Sequence, residues 1–292
     1  MYSKFLANTA AAALLLVSSN MAQSHTRELW MLGGFSNPES VELDVSHQVL
    51  YVSNVNGGPL DKDGNGFISK MSKDGKLEQL KWIEGLSAPK GMVITGFKLY
   101  VTDIDKLVEI DTRTGRIENR YDAPGSVFLN DTAVDKAGNV YVSDIAKKKI
   151  WQLKDGKMSV WYEKDDLMHP NGLRVIHGNK LLVAGWGRDM QDDGSTKSPG
   201  NLFTIDLATK ELKNLGSGTG IGNLDGLERD AHGDFLATDF LAGGLYRIRK
   251  NGTSELLMDL NPGSADLDVI KKGHVAVVPV MMDNNVRAFW VD

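Results

Sequence analysis

The chain has 292 residues, 41% hydrophobic and 24% charged, enough for one large domain or two small ones. A formal charge of −5 leaves no basic field for nucleic acid or anionic lipid. There is no cysteine, which excludes disulfides, thiolate metal sites and cysteine nucleophiles together.

Residues 1–24 have the shape of a secretory signal. Lys4 precedes an apolar run from Phe5 to Val17, and Ala22-Gln23-Ser24 offers a small-x-small cleavage site. The run is too short and wrongly flanked for a permanent membrane span. The expected mature domain is therefore 25–292, periplasmic or secreted, with no stable membrane insertion after signal removal. Without cysteine it must be stable without cross-links.

Beyond the signal, one pattern recurs. In register, the copies are Pro38-Glu39-Ser40-Val41, Pro89-Lys90-Gly91-Met92, Leu129-Asn130-Asp131-Thr132, Pro170-Asn171-Gly172-Leu173, Leu224-Asp225-Gly226-Leu227 and Ser264-Ala265-Asp266-Leu267. Their second positions are 51 (39 to 90), 40 (90 to 130), 41 (130 to 171), 54 (171 to 225) and 40 (225 to 265) residues apart. A period near 40 with four strands per unit is the signature of propeller blades. Each copy opens a short strand, followed by a polar turn and an apolar second strand such as Leu50-Tyr51-Val52 or Val140-Tyr141-Val142. Asp74-Gly75, Asp155-Gly156 and Asn251-Gly252 mark outer hairpins. Insertions at 56–65 and 188–200 explain the two long spacings. The last unit is short of a strand, and Glu28-Leu29-Trp30-Met31-Leu32 stands unpaired before the first. The expected fold is all-β, a six-bladed β-propeller whose ring is closed by that N-terminal strand joining the last blade.

In such a ring the first strands line a central channel, so the residues that open them converge from one end. Glu39, Asn130, Asn171 and Asp225 would then form an oxygen-only set, suited to Ca2+ or Mg2+ rather than to soft metals. Long, flexible bonds favour Ca2+, with another divalent cation as the alternative. Polar channel residues that merely hold water are the competing structural explanation.

With the glutamate, Leu129-Asn130-Asp131, Pro170-Asn171-Gly172 and Leu224-Asp225-Gly226 in this register, the chain resembles the senescence-marker-protein/gluconolactonase family of calcium-dependent six-bladed propellers. Glu39-Ser40-Val41-Glu42 is also similar to the matching stretch of the paraoxonases. The likeness covers the whole mature chain as a pattern. It implies hydrolysis of lactones or related esters, with Glu39, Asn171 and Asp225 binding the catalytic cation and Asn130 binding it or contacting substrate. The cation would polarise the substrate carbonyl while Asp225 activates water or attacks as a nucleophile. Asp131 would orient Asn130 from behind, and His169 would contact substrate or carry a proton.

Two features depart from the family. Glu42 stands where an apolar residue is usual, which raises the possibility that the glutamate is displaced by one position. Lys90, in register on the second blade, either pairs with Glu39 in competition with the cation or sits aside to hold a substrate anion. The second is the expectation carried forward. Asp61-Lys62-Asp63-Gly64-Asn65-Gly66 matches half an EF-hand loop but has Ser72 where the bidentate glutamate belongs, so a glycine-rich loop is expected. The expected partner is a small-molecule substrate, and oligomeric state is not legible. The rival function is a non-catalytic propeller that binds a ligand or protein through its rim.

Overall fold

The computed structural model describes residues 26–164 and 167–292. The expected signal, 1–24, lies outside the described residues. Six four-stranded antiparallel sheets follow one another along the chain and form a six-bladed propeller. The innermost strands of blades one to five are Pro38–Asp44, Pro89–Thr95, Leu129–Val134, Pro170–Ile176 and Leu224–Arg229. In blade six the order from the channel outward is Asp268–Ile270, Val275–Val280, Asn285–Trp290 and then Arg27–Gly33. The N-terminal strand thus completes the last blade, Met31 opposite Arg287 and Leu32 opposite Val286, and the ring closes as expected.

Core packing lies between blades. Tyr51, Ile68 and Ile83 of blade one meet Met92, Val101 and Ile110 of blade two. At the closure, Val41 and Val52 pack on Val277 and Ala288. The second strands are the most buried elements because both faces touch a neighbouring sheet, which is why they read as unbroken apolar runs.

Each of the first five inner strands is irregular where the repeated motif falls. The register shifts between Pro38 and Ser40, Pro89 and Met92, Leu129 and Thr132, Pro170 and Leu173, and Leu224 and Leu227. A bulge leaves ladder groups unpaired, and buried amides need partners. Second-strand hydroxyls supply them in three blades: Ser53 Oγ accepts from Ser40 N–H, Ser143 Oγ from Asp131 N–H and Thr238 Oγ1 from Gly226 N–H, at 2.8–2.9 Å. In the copies that carry glycine at the third motif position, that backbone lies hard against the next blade. A Cβ at Gly172 would sit 2.2 Å from the Asp225 carbonyl oxygen, and one at Gly91 would sit 2.5 Å from Asp131 Cα. Glycine is required there for close approach.

The sixth copy keeps its place in blade six, Ser264 opposite Val280 and Ala265 N–H donating to the Pro279 carbonyl at 3.0 Å, but its regular inner strand starts only at Asp268 and Asp266 turns to blade one. Asp266 bridges Ser40 in parallel, and its N–H donates to the Glu39 carbonyl at 2.9 Å.

Carboxylates join neighbouring inner strands. Asp268 Oδ2 accepts from Leu43 N–H (2.7 Å), Glu42 Oε1 from Ile94 N–H (2.9 Å) and Asp131 Oδ2 from Leu173 N–H (2.5 Å). These tie blade six to one, one to two and three to four. Glu42 therefore has its own work towards the far mouth of the channel, and Glu39 keeps its position in the motif.

Candidate functional site

Glu39, Lys90, Asn130, Asn171 and Asp225 are all buried, and each enters from the bulge of a different inner strand. Asn171 Nδ2 donates to Asp225 Oδ1 at 3.0 Å, linking blades four and five. The amide oxygen of Asn171 is left over. Glu39 Oε2, Asn130 Oδ1 and Asn171 Oδ1 are buried side-chain oxygens with no hydrogen-bond partner. Such atoms are rare in folded proteins because each carries a desolvation cost, and a cation would discharge it. Burial, then the Asp225 charge, pushes the Glu39 carboxyl well above its usual range. Burial and Asp266 do the same to Asp225. Two carboxylates and two amide oxygens fit a hard divalent ion.

Lys90 does not neutralise Glu39 by contact. Its Nζ donates to the carbonyls of Ala88 (2.8 Å) and Pro59 (2.9 Å), with the Phe128 ring centroid 5.1 Å away. Among the described residues no ion pair within 4.0 Å joins it to Glu39. Burial lowers its ammonium to about 8, while Glu39 pulls the other way.

Asp131 is engaged elsewhere than expected. Its Oδ1 accepts from Thr132 N–H (2.6 Å) and its Oδ2 from Leu173 N–H (2.5 Å), so both oxygens serve backbone amides rather than orienting Asn130. Burial, with Asp266 second, still raises its carboxyl well above the ordinary value. His169 is buried, in a left-handed backbone conformation (φ 48°) just before Pro170. Its Nδ1 lies 2.8 Å from the Ile145 carbonyl, which can only accept, so Nδ1 carries the proton and Nε2 the lone pair. Burial lowers its pKa and favours the neutral ring.

Sequence reasoning missed Asp266. It accepts from Ser40 Oγ at 2.6 Å, and burial lifts its carboxyl to about 7. The available signal was its match to Asp131 at the third motif position, overlooked because the second position, Ala265, carries no donor. The hydroxyl that follows the second strand's apolar run in four blades, Ser53, Thr102, Ser143 and Thr238, was a second missed signal.

Both insertions leave from strand ends that pair with the motif, and so stand at the same mouth. Asn56 Nδ2 donates to the Asn65 carbonyl, Lys62 pairs with Asp105 at 2.6 Å, and the Pro59 carbonyl reaches Lys90. The half EF-hand is thus a turn-rich loop without flanking helices. The second insertion is a small hairpin, Gly187–Arg188 against Ser198–Pro199, pinned by Trp186 Nε1 donating to the Gly194 carbonyl at 2.7 Å. Two cavities of about 670 and 530 Å3 open at the opposite mouth, both lined by Arg174 and Lys271 and the larger also by Ile94 and Asp268. The motif residues line neither.

The site and fold together define a six-bladed propeller with a polar, oxygen-rich channel end. Among solved structures, a candidate gluconolactonase matches at 19% identity over 93% of each chain with a TM-score of 0.67. A gluconolactonase from Xanthomonas campestris matches at 14% identity over 92% of this chain and 90% of its own, TM-score 0.68. A virginiamycin B lyase from Staphylococcus aureus matches at 13% over 92% and 100%, TM-score 0.61. No family model and no curated protein matches the chain. The gluconolactonase-like propeller fold is therefore shared across hydrolases and lyases, and only the site can choose between functions.

Proposed function

We propose that the protein is an exported, divalent-cation-dependent hydrolase of a lactone or related ester, acting at the motif end of the channel. Glu39, Asn130, Asn171 and Asp225 would hold the ion, with Ca2+ favoured by the all-oxygen set. One observation carries this reading: three buried, partnerless oxygens from three blades belong to three of the four residues of that set. A bound Ca2+ supplies Lewis-acid polarisation of the substrate carbonyl.

The chain's own residues supply the rest. Asp225, oriented by the Asn171 amide on Oδ1 and deprotonated once the cation is held, suits the base that takes a proton from the attacking water. His169, neutral and with Nε2 unprotonated, suits the group that contacts substrate and relays a proton. Lys90 presents a cation beside the column and suits the anionic end of a substrate. Asp131, with both oxygens on backbone amides, suits a structural role better than a catalytic one.

The test is a panel of lactones and aryl esters assayed with and without chelator, on wild type and Asp225→Asn. Lactone turnover should vanish on chelation, return with Ca2+ and be absent from the variant. Turnover that survives complete metal removal would discard the proposal. A rim-binding propeller would show no turnover in any arm.

A further inference from the structure

At the mouth opposite the motif column, three segments bring metal-ligating side chains together. His232 lies in the turn between the first two strands of blade five. His274 caps the short turn before Val275–Val280 in blade six, and Asp292 follows Asn285–Trp290. One ligand atom from each lies within 4.8 Å of the other two. His232 Nε2 is 3.6 Å from Asp292 Oδ1, and the two imidazole centroids are 5.0 Å apart, tilted by 58°. Among the described residues neither imidazole has any other hydrogen bond or ion pair.

The backbone beneath this cluster is fixed. Buried Asp230 accepts from His232 N–H through Oδ1 (2.9 Å) and from Arg247 Nε through Oδ2 (3.1 Å). Arg247 Nη1 in turn donates to the main-chain oxygen of Asp292. One carboxylate–guanidinium pair therefore anchors two of the three ligand segments. The third is held by Val291 N–H donating to the His274 carbonyl at 2.8 Å. The Arg247 charge is matched by Asp230, so the ligand cluster itself offers two imidazoles and one carboxylate.

We propose that His232, His274 and Asp292 form a second metal site, for a borderline divalent transition metal of the Zn2+ class. Two nitrogens and one oxygen are the wrong donors for Ca2+ or Mg2+ and suit Zn2+, Ni2+ or Cu2+. Ligand bonds of about 2.0–2.1 Å require the three donors to draw closer than they now lie, and the His232 and Asp292 side chains are exposed, so no core packing opposes a change of rotamer. Three protein ligands leave one tetrahedral position for water. Occupied, the site would tie the turn of blade five to the closing blade, next to the strand that pairs with the N-terminal segment. The site is independent of the channel column, whose donors are oxygens at the other mouth.

The test uses the untagged full chain, stripped of metal and then saturated with Ca2+, titrated with Zn2+ by calorimetry and followed by thermal melting. One saturable Zn2+ site and a rise in Tm are expected in wild type and in Asp225→Asn. Both should be lost in His274→Ala and in His232→Ala, and weakened in Asp292→Asn. His232 and Asp292 are exposed, so His232→Ala and Asp292→Asn should fold normally without metal. With Cu2+ as probe, electron paramagnetic resonance should report two coordinating nitrogens in wild type and one in either histidine variant. Absence of saturable binding, or an isotherm that neither histidine substitution alters, would overturn the proposal.

Discussion

Replacing Asp131 by asparagine distinguishes a blade staple from a catalytic group. Asp131 accepts two buried backbone amides, Thr132 N–H at 2.6 Å and Leu173 N–H at 2.5 Å. Asparagine offers one acceptor oxygen, and its NH2 group would face the remaining N–H. Leaving one buried donor unpaired costs about 1–3 kcal/mol. For a domain of this size that corresponds to a fall in Tm of about 2–12 °C. Asp131→Ala removes both acceptors and should cost about 2–6 kcal/mol on the same reasoning. Melting followed by circular dichroism, in Ca2+ and in chelator, gives the shift, and lactone turnover at 25 °C gives activity per folded chain. The expected result is a lowered Tm in both conditions with turnover per folded chain largely retained. An unchanged Tm with turnover abolished would refute the staple and return Asp131 to the chemistry.

Other substitutions probe the channel in different ways. Burial raises the Asp266 carboxyl from 3.8 to about 7. Its folded pKa thus exceeds its unfolded one, and in chelator this group alone should lower wild-type stability as pH rises from about 4 to about 7, by at most roughly 4 kcal/mol. Asp266→Asn should show a smaller fall, since Glu39, Asp131 and Asp225 keep their raised carboxyls, and parallel pH–Tm curves for the two proteins would contradict the assignment. Glu42→Leu orphans Ile94 N–H and should cost about 1–3 kcal/mol, whereas Glu42→Gln keeps an acceptor and should melt close to wild type. Lys90→Met should raise KM for an anionic lactone several-fold with little change in kcat. A neutral substrate affected equally would deny Lys90 its proposed contact.

The ring of blades was legible because strand period, hairpin turns and repeat spacing all report local chemistry. Even the closure by the N-terminal strand followed from counting strands in the last unit. The buried residues that enter at the bulges were legible for the same reason, as one residue per repeat. What escaped depends on contacts between blades. Glu42 looked like a fault in the motif, yet it serves Ile94 N–H on the next blade, a partner 52 residues away that no local pattern reveals. Asp131 looked like a neighbour of Asn130 but reaches across to Leu173. Asp266 was hidden because its partner is Ser40, at the other end of the chain, and only the closed ring brings the two together. Lys90 could be placed at the column from register, but not its hydrogen bond to the Pro59 carbonyl, since loop 56–65 has no periodicity to read.

The most direct measurement is Ca2+ calorimetry on metal-stripped protein, run in two buffers of different ionisation enthalpy, for wild type, Glu39→Gln and Asp225→Asn. Both carboxyls are raised above their ordinary values, so an arriving cation should displace protons. One Ca2+ bound per chain is predicted, with proton release that grows less as pH rises and with binding lost or strongly weakened in both variants. Absence of a Ca2+ isotherm, or one that neither substitution changes, would contradict the assignment of those oxygens to a cation.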